Sequence, residues 1–459
     1  MASSGTFSGT NFSGNWNSST INVTSGSGTL AQLYTDINDS EPFSNPSNGV
    51  YQVNGNRELR LYSGVTLDIS SDTLQWDLST HKYPILRVYE GATLKGGAGG
   101  KIIGDINNSH YSYIYFYGSI MLQGSSENNF IIEQYRSIYI YERSSSVYTF
   151  DYVTLQNVTY SWGYCIHWNR LDATSNQKSH SFTNVTIHSD NHRGYGMLLY
   201  GDFSNVTFDN ITIDNTRYGL YLHGAIVKFT NSTFKDIYYN SLLLYGTSAI
   251  QSYSHYNTSK TKIYNLAGWG QPKVIFDNCT WHDNSTERCV YRVEKGSVVL
   301  FKNNTFEGAS AADPASYGIQ VAYGGLALYY GTQTFNNVSA ERAWTSNGMH
   351  LHCCKLTLTV KDHNGNPIQD AYVIIRQNEG KEEWTGFTDS NGQLKDIFGE
   401  DYVIVEKEET STNNYINWSD SIADGRFHWI IVTKEGYQTW QRKVTFTSDQ
   451  NITATLTPA

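Results

Sequence analysis

The residues with the most chemical potential are carboxylates that recur in step. Asp190, Asp214, Asp236, Asp283, Glu307 and Glu341 each follow an asparagine of a repeated motif by a few residues. Carboxylates stacked one repeat apart could hold Ca²⁺ or form the acid pair of a glycoside-cleaving enzyme, and each would raise its neighbour's pKa. Arg193, Arg217, Lys235, Arg288 and Arg342 accompany them. A solvated turn neutralised by its own cations is the plainer reading, and the pairing of Asp190 with Arg193 and Asp214 with Arg217 in successive repeats favours it. Asp190, Asp214 and Asp236 are therefore weak catalytic candidates. No catalytic set is assigned, and calcium is the one cofactor the column suggests.

A second constellation is His350-Leu-His352-Cys353-Cys354. His350, His352 and Cys354 share one face of a strand and could bind zinc. The alternative, a strand that caps one domain and enters the next, is preferred. A third set is aromatic: Tyr200, Tyr221, His223 and Tyr245 recur at matching points of the repeat, with Leu198 and Leu243 beside them. Aromatic faces stack on sugar rings and also make protein interfaces. The outward leucines tilt the balance toward a covered face, a packed loop or a subunit contact.

Sequons are dense. In-phase Asn184, Asn210, Asn231, Asn278 and Asn337 are expected to point inward and stack amide on amide, where no glycan fits. Out-of-phase Asn11, Asn17, Asn22, Asn257, Asn284, Asn417 and Asn451 are the better glycosylation candidates.

The element that positions these groups is a unit written three times between residues 180 and 246. Its copies begin at Phe182-Thr-Asn184, Phe208-Asp-Asn210 and Phe229-Thr-Asn231 and end at Gly201, Gly224 and Gly246. The period of roughly 21 to 26 residues is that of a solenoid. Each copy has two short alternating runs, a polar corner and a glycine stop, without helical spacing. A lone copy cannot bury its apolar face, so copies must stack. The pattern predicts an all-β, right-handed, single-stranded parallel β-helix. Side chains alternate along a strand. Met197, Leu220 and Leu242 should therefore face inward, as should Leu199, Leu222 and Leu244. Leu198, Tyr221 and Leu243 should face outward, with Tyr200, His223 and Tyr245. In later coils Ile319, Val321, Met349 and Leu351 should be inside, and His350 and His352 outside.

Composition excludes several classes. The net charge is −10 and no basic run is present, so a nucleic-acid partner has no electrostatic support. No apolar run approaches the roughly 20 residues of a membrane helix. The start Met1-Ala-Ser-Ser-Gly-Thr-Phe7 lacks a basic and an apolar region, so either a removed signal or export within a virion is expected. The 35 tyrosines and 16% charged residues fit an ordered β-rich surface protein. Five cysteines at irregular spacing are no disulfide framework; Cys279 and Cys289 could pair, but buried thiols are preferred.

Residues 1–28 read as a Gly/Ser/Thr/Asn-rich flexible leader or attachment segment, and 29–354 as the β-helix. Thr29 to Ile37 has helical spacing and should cap its open end. Residues 250–275 should leave the solenoid as a loop. Leu86 to Leu94, Gly96-Gly97 and Ile102-Ile103-Gly104 resemble the first coils of pectin-lyase-like β-helices. That fold hosts lyases, hydrolases and epimerases as well as adhesins and viral tailspikes. The polygalacturonase pattern needs an Asp pair and Gly-His-Gly. This chain has neither, only Leu222-His223-Gly224. Residues 355–459 read as a small antiparallel β-sandwich. Val360, Asp362, Gly365, Pro367, Ala371, Val373, Thr388, Asp389, Gly392, Lys434, Gly436 and Tyr437 resemble the carboxypeptidase-regulatory-like family of transthyretin-like sandwiches, which implies a non-catalytic extracellular module. Glu406 to Asp424 is a longer insertion. The expected protein is a non-enzymatic spike, fibre, filament subunit or adhesin of an extracellular or virion surface. It would form homo-oligomers or other assemblies and contact glycans. The alternative is a polysaccharide lyase or hydrolase on the same scaffold.

Overall fold

The computed structural model describes residues 4–54, 57–76, 85–104, 112–156, 163–170, 179–189, 194–237, 240–245, 262–263, 274–282, 289–294, 298–308, 315–322, 325–345, 348–378, 383–411, 414–417 and 427–459. Parallel strands one coil apart pair in three columns. One column stacks Thr186, Thr212, Thr233, Thr280, Thr305 and Thr334. A second stacks Met197, Leu220 and Leu242. The third stacks Phe150, Phe182, Phe208, Phe229, Phe276, Phe301 and Tyr329.

The inward assignments stand where side chains are described: Met197, Leu199, Leu220, Leu222, Ile319 and Val321 are all fully buried. The third column is an aromatic spine. Phe182, Phe208 and Phe229 follow one another at 5.5 and 4.8 Å between ring centroids. Offset stacking adds to area burial, so identical rings in register reinforce the coil spacing of about 4.8 Å.

Corners are turned by left-handed residues. Asn184, Asn210, Asn231, Asn278, Asn303 and Asn337 have φ of 49° to 54°, a region asparagine tolerates better than most residues. Asn210 Nδ2 donates to Asn184 Oδ1 and Asn278 Nδ2 to Asn231 Oδ1, both at 2.7 Å. The amides therefore do stack, but Asn210, Asn231 and Asn278 are exposed. The ladder runs along an outer corner, not through the interior. The interior polar groups are others, such as Asn304, whose amide serves the Cys279 N–H and the Phe276 and Lys302 carbonyls.

Residues 5–29 are not a flexible leader. Gly5–Ser8, Phe12–Trp16 and Thr20–Thr29 form antiparallel strands, and Phe7, Phe12, Trp16, Ile21 and Val23 enter the core. The helix Leu30–Ile37 closes this end, with a capping box of Thr29 and Gln32 and with Leu30, Leu33 and Ile37 buried. Asp36 pins it by accepting the N–H groups of Thr10, Asn11 and Phe12. The scattered aromatics follow no coil period because they pack under a cap.

At the far end the strand Met349–Asp362 pairs with Leu326–Tyr330 of the last coil, then with Tyr402–Ser411 and Gln450–Leu456. Residue 355 thus lies inside one continuous strand. The four-stranded antiparallel sheet of Tyr372–Gln377, Glu383–Phe387, His428–Thr433 and Trp440–Val444 shares a core with it. Asp362, Asp389 and Asp396 each accept two backbone N–H groups in tight turns. Each turn ends on a glycine of positive φ, Gly365, Gly392 or Gly399.

The C-terminal core also takes in Ile275, Val298, Leu300, Leu326 and Leu328 from the outer face of the third column. Those strands are buried on both sides, so they read as unbroken apolar runs. This reverses the expectation for the last coil. His350 aligns with inward Ala327 and is fully buried, whereas Leu351 and Met349 face the C-terminal core. The strand belongs to the third column, not to the one holding Met197 and Leu220. Part of the insertion is a hairpin: Tyr402–Ser411 runs on to pair Glu409 with His350 and turns back as Asn414–Asn417. Most of residues 250–275 lies outside the described residues. Cys165, Cys279, Cys353 and Cys354 are buried, and Cys279 is a thiol that forms no disulfide.

Glu400 clamps the C-terminal unit to the coils by pairing with Lys228 and Lys302. Burial alone would raise its carboxyl, but the two lysines outweigh burial and hold it below the ordinary glutamate value. A depressed folded pKa gives stability that is present above the unfolded value and lost as pH falls through the folded one. Glu400→Gln should therefore cost about 1–3 kcal/mol at neutral pH and less at about pH 3, as read from thermal melts at the two pH values.

Candidate carbohydrate-binding face

The outer side of the second column is paved with aromatic rings. In register, one row reads Arg87, Tyr115, Tyr139, His167, Leu198, Tyr221 and Leu243. A parallel row reads Tyr141, Asn169, Tyr200, His223 and Tyr245. Strands alternate, so Ile138 and Ile140 fill the core while Tyr139 and Tyr141 look out, half-buried.

The rings support one another. Tyr115 stacks on Tyr139 at 5.3 Å and Tyr117 on Tyr141 at 5.0 Å. Tyr62, Tyr89 and Tyr117 continue that ladder at 4.8 and 6.0 Å. His167 bridges Tyr139 at 5.1 Å and Tyr200 at 5.6 Å, and Tyr200 lies 6.5 Å from Tyr221. At one end Arg87 sits 4.3 Å over the Tyr115 ring and binds Glu58 at 3.1 Å, with Arg60 on the same carboxylate. Burial pushes the Tyr115 phenol up to about 12, against the pull of Arg87, and pushes the His167 imidazole down to about 4. Both are neutral at physiological pH. The face offers neutral rings and phenol hydroxyls, which suit contact with a sugar rather than nucleophilic or acid–base chemistry.

Of the residues flagged from sequence, Tyr200 and Tyr221 belong to this face. The backbones of His223 and Tyr245 are in its register, and their side chains lie outside the described residues. Leu198 points outward yet is only 3% exposed, so it is covered. Sequence reading missed Arg87, Tyr115, Tyr139, Tyr141 and His167. The signal was present: tyrosines recur one coil apart in strands whose isoleucines alternate with them.

The acidic column dissolves. Asp214 aligns with His188 and Lys235, not with another acid. His188 Nδ1 is 3.2 Å and Lys235 Nζ 3.6 Å from its carboxylate. Asp236 lies one position further on, at a left-handed corner. Glu307 is paired with His282 and Glu341 with Arg342. Asp190 and Asp283 fall outside the described residues. His188, Asp214, Lys235, His282 and Glu307 lie on the first column, away from the aromatic face, while Glu341 lies on Val338–Thr345 of a separate sheet, and no two of these described acids are register partners.

The zinc candidates are occupied otherwise. His350 Nδ1 lies 2.6 Å from the Tyr329 hydroxyl and Nε2 3.0 Å from the Ala343 carbonyl. Burial lowers its pKa to about 4. His352 binds Glu409, which Arg342 also holds. Cys354 is buried in the C-terminal core. Among the described residues no three His, Cys, Asp or Glu side chains are grouped to hold a metal, so calcium too has no described cage.

Among the glycan candidates, Asn17 and Asn451 are exposed and Asn11 is half-buried. Asn22 spends its Nδ2 on Asn15 and Thr20. The side chains of Asn257, Asn284 and Asn417 lie outside the described residues.

A second buried cluster had no local signal. Glu142 meets the Arg170 guanidinium at 2.7 Å and His180 Nε2 at 3.0 Å. His180 Nδ1 accepts the Tyr148 N–H, so Nε2 carries the proton that goes to Glu142. Arg170 also donates to Asn205.

A family model described as a right-handed β-helix region matches residues 120–325. No curated protein matches the chain. Among solved structures, the periplasmic alginate epimerase AlgG is similar at 10% identity over 71% of this chain and 84% of that one, with a TM-score of 0.25. A point mutant of AlgG covers 71% and 85% at 10% identity, with a TM-score of 0.37. A 3-chlorocatechol 1,2-dioxygenase from Rhodococcus opacus is similar at 15% identity over 23% of this chain, with a TM-score of 0.17; the chain spans only 60% of that enzyme's length. Among the described residues no helix is long and apolar enough to cross a membrane. The chain is an all-β protein built on a right-handed parallel β-helix, followed by a small antiparallel sheet.

Proposed function

We propose that the protein is a non-catalytic adhesion or structural component of an extracellular or virion surface, and that its aromatic face holds a polysaccharide laid along the solenoid axis. The observation that carries this reading is the run of half-exposed rings from Tyr115 to Tyr221, each within 6.5 Å of the next and about one coil apart. A polysaccharide running along the axis meets one ring per coil of about 4.8 Å. Leu198, in the same row between His167 and Tyr221, is covered within this chain. The C-terminal unit serves as a carboxypeptidase-regulatory-like accessory module, in keeping with its Asp-to-Gly turns.

Affinity electrophoresis of the full chain through gels containing alginate, polygalacturonate, xylan, mannan or dextran tests this. At least one polymer should retard the protein, and Tyr115→Ala with Tyr139→Ala should weaken that retardation about tenfold or more while leaving the melting temperature nearly unchanged. Reducing ends and unsaturated products should not accumulate. Equal retardation of the double variant, or no retardation by any polymer, would sink the binding role. Product formation would replace it with an enzyme.

A further inference from the structure

The C-terminal unit carries a groove of about 730 Å³ at one end of its antiparallel sheet, lined among others by Asp370, Tyr372, Thr433, Lys434, Tyr437 and Thr439. It is an open, largely polar depression rather than an enclosed cavity. Its walls are fixed by the fold. Tyr372 pairs across the sheet with Thr433 on one side and Phe387 on the other. The Tyr372 ring lies 5.1 Å from that of Phe387. Phe387 is 62% exposed, the most exposed large apolar side chain among the described residues. Opposite, the turn from Lys434 to Tyr437 closes with the Tyr437 N–H donating to the Lys434 carbonyl. The end of the chain braces it: Tyr437 bridges Pro458, and the Ala459 N–H donates to Gly436. Lys434 Nζ reaches back to the Asp370 carbonyl at 3.3 Å, tying the two rims together.

We infer that this groove is a second ligand site and that it takes a single neutral sugar unit. Tyr372 and Tyr437 supply aromatic surface, and threonine hydroxyls, a lysine and two carboxylates supply hydrogen bonds around a polyhydroxylated ring. Asp370 and Glu435 outnumber the one ammonium, so an anionic ligand such as a uronate or phosphate is disfavoured. The aromatic face on the solenoid differs, being edged by Arg87, Arg136 and Arg143 over its tyrosines. The groove does not depend on the role proposed for that face.

Saturation-transfer NMR on the full chain separates the two sites. The probes are the methyl glycosides of glucose, galactose, mannose and N-acetylglucosamine, with methyl glucuronide as the anionic arm. At least one neutral glycoside should receive saturation. Tyr437→Ala and, separately, Tyr372→Ala should weaken its binding by about tenfold, while Tyr115→Ala with Tyr139→Ala leaves it unchanged. Tyr372 lies on the opposite rim, so its variant keeps the test valid if Tyr437→Ala unfolds. No transfer from any of the four, a stronger response from the glucuronide, or a response lost with Tyr139 but not with Tyr372 would each overturn the assignment.

Discussion

Replacing Phe208 with alanine is expected to destabilise the protein by about 3–5 kcal/mol, the cost of deleting a fully buried ring. Phe208 is 1% exposed and sits between Phe182 and Phe229 in the aromatic spine. It also touches Phe203 at 6.1 Å and Trp168 at 6.4 Å. A spine cannot close over the gap without shifting its neighbours out of register, because the backbone ladders fix the coil spacing. The damage should stay local, since each coil contacts only its neighbours. Hydrogen exchange should speed up in the strands holding Phe182, Phe208 and Phe229 and remain slow at Ile102 and Leu358. The half-exposed Tyr221 is the control: Tyr221→Ala should cost well under about 1 kcal/mol. A Phe208→Ala melt within the error of the wild type would contradict the inward placement of the spine.

The second large effect is expected at Glu142. Glu142→Gln leaves the Arg170 guanidinium, its side chain 6% exposed, without a counter-charge. Breaking a buried pair from one side costs about 3–5 kcal/mol, far more than an exposed pair is worth. The pH dependence has a definite sign. Burial would raise the Glu142 carboxyl, but the His180 hydrogen bond and Arg170 outweigh burial and place it below the ordinary value. Its contribution is therefore present above the unfolded glutamate pKa and lost as pH falls through the folded one. Urea titrations of both proteins across that acid range should converge at low pH. A gap that persists unchanged there would show that Glu142 acts through packing rather than charge.

Much of this fold could be read from the chain because its signals are local and repeated. Phe182, Phe208 and Phe229 mark successive coils, and the alternation of Leu220 with Tyr221 tells inside from outside. The helical spacing from Thr29 to Ile37 marks the capping helix. Legibility failed wherever a second layer covers the solenoid. Val298 to Phe301 is apolar on both faces because the C-terminal unit packs on its outer side, and an outward-facing reading of Leu198 cannot see what covers it. Spacing alone cannot give the face of His350, because the last coil strand belongs to a different column from Met197. Spacing shows that the corner asparagines form a ladder but gives no φ, and the left-handed corner is what turns them outward.

The candidate site was half legible. Tyr200 and Tyr221 stood out because they fall in the cleanest repeats. Tyr115, Tyr139 and His167 did not, because coil length varies through that region and only backbone register aligns them. The cluster of Glu142, Arg170 and His180 joins residues 28 and 38 positions apart, with no motif to announce it. The acids at Asp214 and Glu307 showed the opposite failure: their recurrence was real, but a one-residue offset set cations between them.

The most direct test is to place single cysteines at neighbouring positions of one strand. In the native full chain, Tyr139→Cys should react with a small maleimide at a rate close to that of a free thiol. Ile140→Cys should be protected by several orders of magnitude, because it is reached only through unfolding. Comparable labelling at Ile140, or protection at Tyr139 with Ile140 open, would contradict the solenoid and remove the aromatic face with it.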